Sequence, residues 1–218
     1  RIEACYDIVR AKAEAAAALY GGTAYAEEEP FLAHETDVVV ISLPPHLHPG
    51  AFARTAAAGR DVYLEKPVCV DDEGRALLIE TARKRLVRCY VGLSYRHIHP
   101  FLTVAEILRR PDAGRLLSVS DHWLSPGGAV PETPPEARNW RHRMDQGGGQ
   151  LVNHCCHFID WCRWVGGEMA SVTAVEYSPG DPPGPHEEIE LSASFVFKAG
   201  GLASFRLSQH SHQSFQYG

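Results

Sequence analysis

The spacing of apolar and polar residues has two rhythms along this chain, and they meet near residues 95–100. In the first, short apolar runs alternate with longer amphipathic ones. "RIEACYD" (1–7) reads as a strand ending in an acid. The alanine-rich "IVRAKAEAAAALY" (8–20) reads as a helix stopped by Gly21 and Gly22. The β-branched run "DVVVISL" (37–43) predicts a strand covered on both faces. A helix over 50–59, a strand over 61–65, a helix over 73–85 and a strand over 88–94 follow. Strand and helix alternating at this spacing predict a parallel sheet with helices on its faces.

After Pro100 the pattern changes. A helix over 101–110 leads into "RLLSVSDHWL" (115–124), which alternates like a strand with one solvated face. The Pro- and Gly-rich stretch 125–138 reads as a long loop, and a helix is expected from about Gln150 to Trp164. Runs over 170–178, 188–198 and 201–209 read as strands of an open antiparallel sheet. The expected architecture is therefore an α/β domain over residues 1–98 and an α+β domain over 99–218.

Composition removes several functions from this picture. With 44% hydrophobic and 22% charged residues the chain suits an ordinary globular protein. A net charge of −6 without a basic run argues against a nucleic-acid surface. No apolar stretch approaches a membrane span. Six cysteines follow no disulfide-scaffold spacing, so reduced thiols in a cytoplasmic protein are expected. The first residue is Arg1, already at the end of a strand pattern, and the strand pattern stops at Gly218 without closing elements. Both ends read as cuts from a longer chain, with a first strand and its glycine loop lying outside it.

In open parallel sheets ligands sit beyond the carboxyl ends of the strands. Three such ends here carry special residues: Asp7, "SLPPHLH" (42–48) and Glu65-Lys66-Pro67. A carboxylate at Asp7 suits both hydroxyls of an adenine ribose, or a plain helix N-cap. No G-x-G-x-x-G occurs, but that fingerprint precedes its ribose acid by roughly 20 residues and only six residues stand before Asp7. In the second half, helical spacing projects Asn153 and His157 together, and Trp161 continues the stripe. Gly147-Gly148-Gly149 permits a tight turn and close approach of a ligand. A histidine near neutral pKa suits the proton that leaves an alcohol on oxidation. Lys66 suits the role of a cation that lowers the alcohol's pKa, or takes the proton itself when buried. "HCCH" (154–157) lacks a second C-x-x-C pair, so no metal site is expected, and Cys155, Cys156 and Cys162 are read as small packing residues. Arg96 faces the presumed cleft, for a cofactor contact or for an acid between the domains. Asp160 is expected to fix its helix or a nearby arginine, and Trp140 and Arg141 are read as part of a surface loop.

These residues, in this order, resemble the family of glucose–fructose oxidoreductase, inositol dehydrogenase and MocA (Gfo/Idh/MocA). The likeness rests on Asp7, on "SLPPHLH" in place of T-P-N-x-x-H, on "EKP" (65–67), and on "GGGQLVNHCCHFID" (147–160), with about 80 residues between the last two. "LSYRHIHP" (93–100) resembles the family's domain-joining segment. The resemblance implies a Rossmann domain that binds NAD(P), followed by a dehydrogenase domain on an open sheet. It implies cofactor contacts from Asp7, Leu43, Pro44, His48, Glu65, Lys66 and Arg96, and catalytic roles for Lys66, His157 and Asn153. A cis Lys66–Pro67 bond is also implied. Family members usually carry Asp where Asn153 stands. Asp7 followed by Ile8 favours NAD over NADP, because a carboxylate repels a 2′-phosphate.

The expected activity is hydride transfer between NAD and a secondary alcohol of a sugar, polyol or similar cyclic alcohol, with Lys66 and His157 as the acid–base pair. Two alternatives stay open: transient oxidation that permits elimination or glycoside cleavage, and a non-catalytic nucleotide- or sugar-sensing regulator. Homo-oligomerisation through the second sheet is expected from the likeness.

Overall fold

The computed structural model describes residues 1–124, 140, 143–149, 151–177, 190–208 and 215–217. The first part runs β1 (Ala4–Tyr6), α1 (Arg10–Tyr20), β2 (Thr23–Tyr25), α2 (Glu28–Ala33), β3 (Val38–Ile41), α3 (His48–Ala57), β4 (Asp61–Leu64), α4 (Asp72–Arg85) and β5 (Cys89–Val91). All its ladders are parallel, in two sheets: β1 with β2, and β3-β4-β5. β2 and α2 are additions to the pattern expected from sequence. Three-residue strands carry no periodicity, and these elements are held by tertiary contacts such as the stacked Tyr6 and Phe31 rings, 5.6 Å apart.

α4 is well punctuated. Asp71 caps it by accepting from Gly74 N–H at 2.7 Å, acids fill its first turn, and Arg83, Lys84 and Arg85 fill its last. Each placement opposes the partial charge at that helix end. Leu86 then closes the helix in the left-handed conformation, φ 55°.

The three-stranded sheet departs from expectation in one respect. Val39, Ile41, Val62 and Leu64 are buried with Ala51 and Phe52 of α3, but the other face is open: Val38, Val40, Tyr63 and Tyr90 are 39–65% exposed. The β-branched run is covered on one face, so its unbroken apolar character reflects more than the burial seen here.

The second part comprises α5 (His99–Leu108), β6 (Ser118–Leu124), α6 (Met144–Gly147), a π-helical turn (Leu151–Cys155), α7 (Cys156–Gly166), β7 (Met169–Tyr177), β8 (Glu190–Phe197), β9 (Leu202–Ser208) and β10 (Phe215–Tyr217). The strands form one sheet in the order β10-β6-β9-β8-β7. It is mostly antiparallel, as the alternating pattern predicts, but β6 and β9 pair in parallel. Alternation reports which face is buried, not strand direction, so this pairing leaves no local trace. The inner face packs Leu191, Ala193, Phe195, Phe197, Ala203, Phe205 and Leu207 against Phe158, Trp161 and Cys162 of α7.

The helix expected over 150–164 is likewise divided into the π turn and α7. Arg141, Gln150 and the loop 125–138 lie outside the described residues. Among the described residues, no helix is long and apolar enough to cross a membrane.

Candidate functional site

The carboxyl ends of β3, β4 and β5 present their following residues at one edge. Lys66 leaves β4 there, before a cis peptide to Pro67. Its Nζ crosses to the second part of the chain and donates to both the main-chain oxygen and Oδ1 of Asn153, each at 2.8 Å. Asn153 is buried, on the π turn. Gly148 and Gly149 set up that turn with φ of 76° and 72°, conformations that a side chain strains. A π turn holds one more residue than an α turn and often marks a functional site. Asn153 and His157 are therefore not related by a plain α-helical i,i+4 step, yet Lys66 acts on both.

His157 is nearly buried, with its ring stacked on Tyr95 at 4.9 Å, and Tyr95 stacks in turn on Phe101 at 4.0 Å. Its Nδ1 has no partner among the described residues. Burial pushes the imidazole down to about 4, the Lys66 charge adds to this, and Asp160 opposes it. The ring is neutral at neutral pH. Tyr95 thus stands between His157 of α7 and Phe101 of α5, a pairing that no local stretch of sequence displays.

The remaining expected residues fall into two groups. Glu65 stays at the edge, half-buried, accepting from Lys66 N–H at 3.1 Å. Gly92 makes room for it: a Cβ there would lie 3.1 and 3.2 Å from the Glu65 carboxylate oxygens. Leu43 is exposed and Pro44 half-buried at the end of β3. Asp7 follows β1 and accepts from Val9 N–H at 2.7 Å, so one carboxylate oxygen already turns the chain toward α1. The other two residues are drawn elsewhere. His48 is fully buried, its Nδ1 2.9 Å from Pro67 O and its Nε2 2.8 Å from Leu43 O. Arg96 forks onto Asp160 of α7 at 2.7 and 2.8 Å and lies over Trp164. Of the two roles considered for Arg96, the structure displays the inter-domain pair, and this gives Asp160 its partner.

Glu65 over Gly92 is a carboxylate at a close-approach strand end, and Asp7 keeps a second carboxylate oxygen at the end of β1; both are of the chemistry that ribose hydroxyls need. A cavity of about 600 Å³ is bordered by Lys66, Leu93, Cys156, Ile159 and Asp160. Asn153 and His157 do not line this cavity, so the polar cluster and the apolar space adjoin at Lys66. The thiols behave as packing groups: burial pushes Cys162 up to about 12 and raises Cys156. His154 packs on Trp123 at 4.1 Å, and no group of three metal-ligating side chains occurs among the described residues.

A family model described as an oxidoreductase family with an NAD-binding Rossmann fold matches residues 1–93, and the GFO/IDH/MocA C-terminal domain matches residues 101–217. Levoglucosan dehydrogenase of Pseudarthrobacter phenanthrenivorans is 28% identical over 63% of this chain and 35% of its own length. Inositol 2-dehydrogenase of Rhizobium meliloti is 28% identical over 80% of this chain and 50% of its own length. The chain thus spans half or less of these relatives. The structure of a levoglucosan dehydrogenase in complex with NADH and levoglucosan superposes with a TM-score of 0.85 at 24% identity, covering 99% of this chain and 60% of that one.

Proposed function

The chain belongs to the Gfo/Idh/MocA family of oxidoreductases, and on that premise we propose that it serves hydride transfer between NAD and a secondary alcohol of a sugar, polyol or similar cyclic alcohol. The observation that carries this reading is the junction of Lys66 with Asn153 beside neutral His157. Lys66 donates to two neutral oxygens of Asn153, and a cation at this position lowers the pKa of a hydroxyl brought beside it. His157, neutral, takes the hydroxyl proton. Asn153 orients Lys66 without ionising. When bound, the nicotinamide accepts the hydride; this chain's residues hold and move the proton. Glu65 and Asp7 supply ribose acceptors, and Asp7 disfavours a 2′-phosphate by charge.

The same reading assigns a sugar or polyol rather than a larger partner, as the named relatives suggest. It also assigns self-association to the outer face of the second sheet, where Val175, Tyr177, Val196 and Leu202 are 41–68% exposed. Sedimentation analysis tests that assignment, and a monomer at all concentrations refutes it.

The main reading is tested by titrating the protein with NAD and NADP, then following NADH with a panel of sugars and polyols. NADH growth that vanishes in Lys66→Ala supports it. Failure to bind either nucleotide ends it, and turnover without accumulating NADH points instead to transient oxidation.

A further inference from the structure

The buried imidazole of His48 faces two groups that only accept. Pro67 O is 2.9 Å from Nδ1 and Leu43 O is 2.8 Å from Nε2. A neutral imidazole has one N–H, so at this spacing its second nitrogen would set a lone pair against a carbonyl oxygen. We propose that His48 is a positioning residue for Lys66, its ring tying the Leu43 carbonyl to the Pro67 carbonyl and holding both only when each nitrogen carries a proton.

The tie has leverage because of where it ends. Leu43 follows β3, and Pro67 immediately follows Lys66 at the exit of β4. Proline has no N–H, so its carbonyl is the main-chain hydrogen-bonding handle on this turn. His48 itself is rigidly placed, at the first turn of α3 with its ring wholly buried. With both bonds made, the turn that aims Lys66 at Asn153 is fastened to the neighbouring strand end. With a neutral ring one carbonyl is released, and Lys66 gains freedom.

Burial is the largest influence on the ring and lowers its proton affinity below the ordinary 6.5; the two carbonyls and the Glu65 carboxylate raise it, and His46 lowers it slightly. The doubly bonded state therefore belongs to pH below the ordinary 6.5, and the hold on Lys66 slackens as pH rises. The importance given to Lys66 rests on the oxidoreductase reading; the tie itself does not.

The test is nuclear magnetic resonance of the full chain with ¹⁵N in its histidine rings and lysine side chains. On raising pH, the His48 ring is expected to pass from two protonated nitrogens to one, with a midpoint below 6.5. The Lys66 Nζ signal is expected to shift with the same midpoint, and to lose that shift in His48→Gln. A ring singly protonated wherever the chain is folded overturns the proposal. So does a ring that titrates while Lys66 stays unmoved. If His48→Gln does not fold, the unsubstituted chain's two titration curves decide alone. None of these readouts is turnover, so this tie and the proposed activity fail separately.

Discussion

Lys66 and Asn153, 87 residues apart, are joined by two hydrogen bonds from one ammonium group, to the side-chain oxygen and the main-chain oxygen of the same residue. The two bonds differ in what mutation can remove. Asn153→Ala takes away Oδ1 and leaves the main-chain acceptor, so Lys66 remains near its place. In a turnover assay Lys66→Ala is expected to lose about 10²–10⁴-fold, the span usual for a proton-handling group, and Asn153→Ala distinctly less. Equal losses would show that Oδ1 alone holds the lysine.

His157 makes stability depend on acid. Its folded-state pKa, about 4, lies below the ordinary 6.5, so the unfolded chain binds the extra proton first. Stability is full above 6.5 and is lost as pH falls from there toward 4, by about 3 kcal/mol. Denaturant melts across that window should show the loss in the unsubstituted chain and a smaller one in His157→Phe. In Lys66→Met, the His157 midpoint should rise, because one of its two lowering influences is gone.

Arg96 and Asp160 fasten the end of the first part to α7 with a fork in which the aspartate is largely buried. Asp160→Asn should cost about 1–3 kcal/mol in chemical denaturation, as expected for bonds between charged groups. Arg96→Lys should recover little, since an ammonium cannot reproduce the fork or the packing over Trp164.

The two faces of the three-stranded sheet should respond unequally to substitution. Leu64, 1% exposed, should cost about 2–5 kcal/mol as Leu64→Ala. Val40, 65% exposed, should stay within about 0.5 kcal/mol as Val40→Thr. Thermal melts of the two variants measure the contrast.

Leu86 occupies a left-handed C-cap with a side chain that is 89% exposed. Leu86→Gly relieves that conformation and removes little packing, so a gain of about 1 kcal/mol is expected in the same assay.

Much of this was legible in advance, for local reasons. α4 announces itself through its cap and charge gradient, and β4 through an apolar run that ends abruptly at Glu65. The EKP and GGG-to-His segments carried the family likeness. What escaped was non-local. That Lys66 meets Asn153, that Arg96 meets Asp160 and that Tyr95 stacks on His157 are facts about how two parts dock, and no window of sequence contains them. His48 shows the limit most sharply: the resemblance implied a cofactor contact for it, and no window of sequence contains the two carbonyls, of Pro67 and Leu43, that meet its buried ring.

The parallel ladder of β6 with β9 also governs the order in which the molecule is made. β6 ends at Leu124 and its partner begins at Leu202. A ribosome adding about 5–20 residues each second needs several seconds to span that interval. Throughout that interval a newly made β6 has an unpaired edge, while β7 and β8 emerge able to pair with each other. Both sheet neighbours of β6, namely β9 and β10, lie later in the chain than β7 and β8, so the strand made first is the last for which partners exist.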